Sequence, residues 1–122
     1  MYRYKATVVR VVDGDTLDVD VDLGFYVRQR MRLRLRGINA PELRGPERAR
    51  GLEAKAFVAE TLSRVPFVAV RTYKIGKYGR YIADVYFLEG CDDAEEVFAR
   101  GQCLNDLLVE KGLAEPLETR RS

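Results

Sequence analysis

Two runs of strict alternation, lying one after the other, constrain this chain more than anything else in it. Leu17, Val19, Val21 and Leu23 alternate with Asp18, Asp20 and Asp22. After a turn at Gly24 to Val27, Met31, Leu33 and Leu35 alternate with Arg28, Arg30, Arg32, Arg34 and Arg36. A period of two puts successive side chains on opposite faces of a strand. Each run is therefore a half-buried strand, and if both apolar faces turn inward the Asp row and the Arg row share the outer face. Arginines at every second residue invite a nucleic-acid stripe, yet the aspartates lie at cross-strand pairing distance. The expectation for Arg28, Arg30 and Arg32 is cross-strand ion pairs on a solvated face. Arg34 and Arg36 lie nearer Asp15 and the following loop, where a role in a site is open.

The remaining segments complete a barrel. Residues 4 to 12 (YKATVVRVV) are rich in Val and end at Asp13-Gly14, a strong hairpin-turn signal, so they read as a strand. The stretch 37 to 50 carries Gly37, Pro41, Gly45 and Pro46 and reads as a loop. A helix is expected over 51 to 63, with Leu52, Ala56, Ala59 and Leu62 on its apolar stripe and Pro66 closing the region. Residues 67 to 73 and 81 to 88 read as two further strands joined by KIGKYGR. A short helix over 93 to 100 is capped by Asp92 or Asp93 and stopped at Gly101. Asn105 is expected to cap a last helix ending at Lys111-Gly112, and 116 to 122 reads as a frayed tail. Five strands with about three interposed helices predict a small closed β-barrel of the α+β class, one domain over 1 to 122.

Composition narrows the chemistry. The 122 residues are 47% hydrophobic and 33% charged, which is globular composition. With 21 Lys and Arg against 19 Asp and Glu the net charge is only +2, so a basic site has to come from local clustering. The chain has no His, which removes Ser-His-Asp and Cys-His catalysis and every His-based metal site. Acid–base work falls to carboxylates, Lys, Tyr or metal-bound water. Cys91 and Cys103 are too far apart for a CxxC pair; two free thiols are the simplest reading, and one disulfide the alternative. No apolar run approaches the roughly 18 residues of a membrane span, and no membrane partner is expected. The N-terminus, MYRYKATVVRVV, lacks an apolar h-region, so a cytoplasmic chain is expected as written, or a secreted one if a leader was trimmed.

Three short stretches could carry chemistry: Asp13-Gly14-Asp15-Thr16, Asn39-Ala40-Pro41-Glu42 and Lys77-Tyr78-Gly79-Arg80. Each alone has a plain explanation as a turn or loop. Their order and spacing, however, resemble the staphylococcal nuclease (thermonuclease) family, through VVDGDT, RLRLRGINAPE, KYGR and LNDLLVEKGLA. The resemblance runs over most of residues 5 to 115, and four motifs in one order make it specific.

The resemblance implies a five-stranded OB-fold barrel and a calcium-dependent phosphodiesterase site on its wall. By it, Asp15 is a calcium ligand, Asn39 stands where the family has a second ligand aspartate, and Ala40 contributes its backbone carbonyl. Glu42 matches the general base, and Arg34 and Arg80 match the two arginines. Asp13 falls in the outer shell, and Lys77 and Tyr78 resemble residues that flank a nucleotide's phosphate. Residues 90 to 101 depart from the family as an insertion. Elementary chemistry agrees: hydrolysing a phosphodiester needs a cation on a non-bridging oxygen, donors for the developing charge and a group to align water. Asp15, Asn39 and a carbonyl are hard oxygen donors suited to Ca²⁺, and arginines give forked donors that Lys cannot copy.

The expected substrate is DNA or RNA, single-stranded by preference, cut with little sequence preference to leave 3′-phosphates. A monomer without a protein partner is expected. The rival readings are an OB-fold nucleic-acid-binding module that has lost catalysis, and a purely structural interaction domain suggested by the 90 to 101 insertion. The presence of Glu42, Arg34 and Arg80 together puts the enzyme first.

Overall fold

The computed structural model describes residues 2–75 and 81–117. Strands β1 (Tyr2–Asp13), β2 (Thr16–Asp22) and β3 (Arg28–Leu35) form an antiparallel meander, and β5 (Val68–Ile75) and β6 (Tyr81–Phe87) form a second hairpin beside β1. The sheet runs β3-β2-β1-β5-β6, and a parallel pairing of Leu33–Leu35 with Tyr81–Ala83 joins its ends. The result is the closed five-stranded barrel that the sequence predicts, with three α-helices around it among the described residues. Short β4 (Ile38–Asn39) pairs with β8 (Glu115–Pro116), and β7 (Gln102–Cys103) extends the sheet beyond β6. No helix among the described residues is long and apolar enough to cross a membrane.

The alternating runs behave as their period requires. Leu17, Val19, Val21, Leu33 and Leu35 are all buried in the barrel core. On the outer face Asp18 lies opposite Arg32 and Asp20 opposite Arg30, and both couples are ion pairs. These bonds hold both aspartates below the usual carboxylate range. Opposite Arg28, Asp22 instead turns its carboxylate to the Gly24 N–H at 2.9 Å, so the expected third pair is missing.

Some expected details differ. The turn after β1 is Gly14-Asp15, with Asp13 paired to Thr16. Gly14 is not in the left-handed region that hairpin glycines usually supply; a Cβ there would lie 2.8 Å from the Cβ atoms of both Ala40 and Ala54. Its glycine is demanded by packing. Helix α1 (Arg48–Ser63) buries Gly51, Ala54, Val58 and Leu62; of the expected stripe only Leu62 is buried, and Leu52, Ala56 and Ala59 are exposed. Gly51 sets this rotation, because a Cβ there would collide with the Glu42 carbonyl.

Helix α2 (Ala94–Arg100), inside the 90 to 101 stretch, is capped by Asp93, whose side chain accepts from the Glu95 N–H. It lays Val97 and Phe98 against Phe67, Ala69 and Tyr86, a small second core. Helix α3 (Leu104–Glu110) starts from Cys103 with no side-chain cap; Asn105 lies within the helix, buried at 3% exposure, and does not cap it. Cys91 and Cys103 are both free thiols, so the disulfide alternative falls.

Candidate active site

One end of the β1–β2–β3 meander opens into a polar cleft of about 300 Å³. The β1–β2 turn region brings Asp13, Asp15 and Thr16; the end of β3 brings Arg34; β4 brings Asn39 and the loop after it Ala40 and Glu42. The scaffold beneath is made of short backbone ties. Asp13 accepts from the Asp15 N–H at 3.0 Å, the local bond that makes Asp the natural residue before such a turn. Leu35 N–H donates to the Asp15 carbonyl at 2.9 Å, locking the turn to β3. The 39–42 loop is held from behind by Gly51, and the Glu42 N–H donates to Glu47 at 3.0 Å.

Asp15 is the centre of the cleft. Its Oδ1 accepts from the Thr16 hydroxyl at 3.0 Å, and its Oδ2 accepts from the Ala40 N–H at 2.8 Å and pairs with Arg34 at 3.2 Å. The other arm of Arg34 donates to the Asn39 Oδ1 at 3.2 Å. One guanidinium thus bridges the side-chain oxygens of Asp15 and Asn39. The exposed Glu42 lines the same cleft without touching either.

Burial pushes the Asp15 carboxyl up to about 6, and its hydrogen bond with Asp13 adds to that; the Ala40 N–H and Arg34 offset only part. Burial acts on Asp13 too, but bonds from Asp15 and Thr16 outweigh it and hold that carboxyl low. Of the two, Asp15 is the one that takes up a proton first as pH falls. Between about pH 4 and 6 the folded protein binds more protons at Asp15 than the unfolded chain does, so stability must fall as pH rises through that window. From the usual 3.8 to about 6 the loss is about 3 kcal/mol. Asp13, Asp18 and Asp20 act in the opposite sense, but below 3.8. Thermal melts in chelator should show a midpoint that drops between pH 4 and pH 7; a midpoint that rises across this range would mean that Asp15 is ionised without penalty.

Of the residues singled out from sequence, Asp13, Asp15, Arg34, Asn39, Ala40 and Glu42 come together here. Ala40 engages Asp15 through its N–H. Lys77, Tyr78 and Arg80 lie outside the described residues. Arg36 turns away into a separate cleft, where it pairs with Asp84 at 3.4 Å and stacks on Tyr73 at 4.3 Å. Sequence reasoning missed that network. Asp84 accepts from the Tyr73 hydroxyl at 2.8 Å, and Asn105 reaches the Arg36 carbonyl, the Ala83 carbonyl and the Val85 N–H. An Asp in the apolar run YIADVYF was the available signal.

A divalent cation is compatible with these residues. Among the described residues no three His, Cys, Asp or Glu side chains gather as a metal-binding group. The donor set on offer is one carboxylate, an amide oxygen and backbone oxygens, all hard ligands of the calcium type. The guanidinium that bridges Asp15 and Asn39 is a stand-in cation, yet Asp15 remains reluctant to ionise beside it. More positive charge is what this carboxylate lacks.

Comparisons with known proteins bear on the family. A family model described as staphylococcal nuclease homologue matches residues 32–122. A micrococcal nuclease from Shigella flexneri is 33% identical over 115 residues, an alignment that takes in 91% of this chain and 57% of that protein. The chain thus spans little more than half the length of that relative.

Proposed function

The chain belongs to the staphylococcal nuclease homologue family, and from that premise we propose that its cleft hydrolyses phosphodiester bonds of DNA or RNA with calcium as cofactor. The observation that carries the reading is that Asp15 and Asn39 both turn an oxygen to the one guanidinium of Arg34, in a cleft that Glu42 also lines. Asp15, Asn39 and the Ala40 carbonyl would hold the ion, and Asp13 would orient Asp15 from behind. When bound, Ca²⁺ supplies a Lewis acid for a non-bridging phosphate oxygen.

Every other step belongs to side chains of the protein. Glu42 takes a proton from the attacking water as its oxygen bonds to phosphorus. Arg34 and Arg80 donate to the equatorial oxygens, whose negative charge grows in the transition state. The bond from phosphorus to the 5′ oxygen breaks, that oxygen takes a proton from solvent, and a 3′-phosphate remains. Lys77 and Tyr78 flank the nucleotide; stacking on Tyr78 is sequence-tolerant because every base has a π-face. Single-stranded or frayed substrate is preferred, and the protein acts as a monomer. Purified protein should degrade single-stranded DNA to 3′-phosphate ends in Ca²⁺ and spare it in chelator. Full activity in chelator would overturn the metal reading.

The amide at Asn39 favours a second reading, a module that binds nucleic acid but cleaves weakly. One anionic partner of the cation is replaced by a neutral oxygen. Close-range attraction to a second carboxylate is worth several kcal/mol at an effective dielectric near 20, much of it offset by desolvation. Asn39→Asp should therefore tighten Ca²⁺ by about tenfold or more, read by titration calorimetry. Equal affinities would mean that position 39 does not face the ion.

A further inference from the structure

The tip of the β2–β3 hairpin, at the end opposite the cleft, holds its aromatics out to solvent. Phe25 and Tyr26 are 96% and 104% exposed, and both adopt left-handed φ angles, 55° and 64°. Bulky residues rarely adopt that conformation, and neither gains packing of its own from it. Leu23 and Gln29, which flank the tip, also line a cavity of about 450 Å³ at the mouth of the barrel, whose walls carry Tyr2, Tyr4, Tyr73 and Tyr81. Tip and mouth lie at the same end of the barrel, joined through Leu23 and Gln29.

Two observations say what covers this end. The tip is reached from the candidate active site along the outer face of β3, which carries Arg34 at the cleft and Arg28 beside the tip. Charge is the other. Arg30 and Arg32 are neutralised by their aspartates, whereas Arg28, beside the tip, has no ion pair within 4.0 Å among the described residues. An exposed cation next to exposed aromatic rings suits a phosphate with its base. Two copies meeting through this tip would set Arg28 against Arg28, and a membrane-seeking tip would not be flanked by Asp20 and Asp22.

We propose that the hairpin tip and barrel mouth form a base-stacking platform for single-stranded nucleic acid leading away from the cleft. From Arg34 to Arg28 the strand covers roughly 20 Å at about 3.3 Å per residue, so the platform engages only substrates several nucleotides long. The inference rests on the reading of the cleft as a phosphodiesterase centre and adds a length preference to it.

The test uses Phe25→Asn/Tyr26→Asn, which removes both rings while suiting the left-handed backbone. Fluorescence anisotropy in chelator measures binding of a labelled 12-nucleotide single-stranded DNA and of a labelled dinucleotide. The double variant should bind the 12-mer on the order of 10- to 100-fold more weakly and the dinucleotide unchanged. Its hydrolysis of the dinucleotide in Ca²⁺ should equal that of the unmodified protein. Equal 12-mer affinities, in a protein that does cleave DNA, would overturn the platform and leave the nuclease reading standing. Rings that matter for 12-mer binding in a protein that cleaves nothing would do the reverse. Loss of vesicle binding or of dimers in the variant, with DNA affinity unchanged, would assign the tip to a lipid surface or a second copy and would also overturn the proposal.

Discussion

Arg34→Lys is expected to slow hydrolysis by about 10²- to 10³-fold at saturating Ca²⁺ while leaving the protein folded. Removing one preorganised donor to a developing oxyanion has an effect of that size in other enzymes. Arg34 uses both arms of its guanidinium, one on Asp15 at 3.2 Å and one on Asn39 at 3.2 Å. A lysine keeps the charge near Asp15 but cannot span both oxygens, and it offers no forked pair to a phosphate. The charge that remains keeps Asp15 partnered, so the loss of stability should be limited to the lost hydrogen bonds, on the order of 1–3 kcal/mol. Steady-state rates and thermal melts on the same preparation check both halves. A rate within threefold of the unmodified protein would mean that Arg34 serves only to neutralise Asp15.

Asn105→Leu should destabilise the fold by about 2–6 kcal/mol without touching the cleft. The Asn105 side chain is buried where the barrel closes, between β6 and the end of β3. Its Oδ1 accepts from the Val85 N–H at 3.1 Å and its amide donates to the Arg36 carbonyl at 3.0 Å. Leucine would strand both groups, at about 1–3 kcal/mol each. The Ala83 carbonyl, a third partner, keeps the Arg36 N–H at 2.8 Å and suffers less. Because the same closure sets Arg34 beside β6, activity should fall with stability as temperature rises. Urea unfolding measures the change; a loss below about 1 kcal/mol would show that the closure is held by the β3–β6 ladder alone.

Sequence made the barrel legible chiefly through residues 17 to 36. A period of two admits one assignment of faces, but which aspartate meets which arginine, Asp18 with Arg32 and Asp20 with Arg30, depends on the hairpin's register, which charge alone leaves open. Helix α1 was harder because its alanines give little contrast around the axis; the closeness of Gly51 to the Glu42 carbonyl, a tertiary fact, chose the buried side. Asn105 looked like a cap because capping and bridging use the same amide, and only the fold tells them apart. Gly14 looked like a turn glycine and is a packing glycine for a similar reason. The order of the motifs brought Asp15, Arg34, Asn39 and Glu42 into view together. That Arg34 would link Asp15 to Asn39 depends on the 39–42 loop folding back over the β1–β2 turn, which no local pattern encodes.

The central claim is that the cleft keeps an uncomfortable carboxylate at Asp15 in order to hold a cation for phosphodiester hydrolysis. Asp15→Asn tests it in one protein, because the substitution should move stability and activity in opposite directions. In chelator at pH 7 the variant sheds a burial penalty that places the native carboxyl at about 6, and its thermal midpoint should rise. Hydrolysis of single-stranded DNA in Ca²⁺ should fall by at least about 10²-fold, since the amide is a poorer ligand and brings no charge to the ion. The decisive number is the ratio of hydrolysis rates, variant to unmodified, at matched Ca²⁺ with both proteins shown to be folded. A ratio near 0.01 or lower is the predicted result, and a ratio near one would contradict the account.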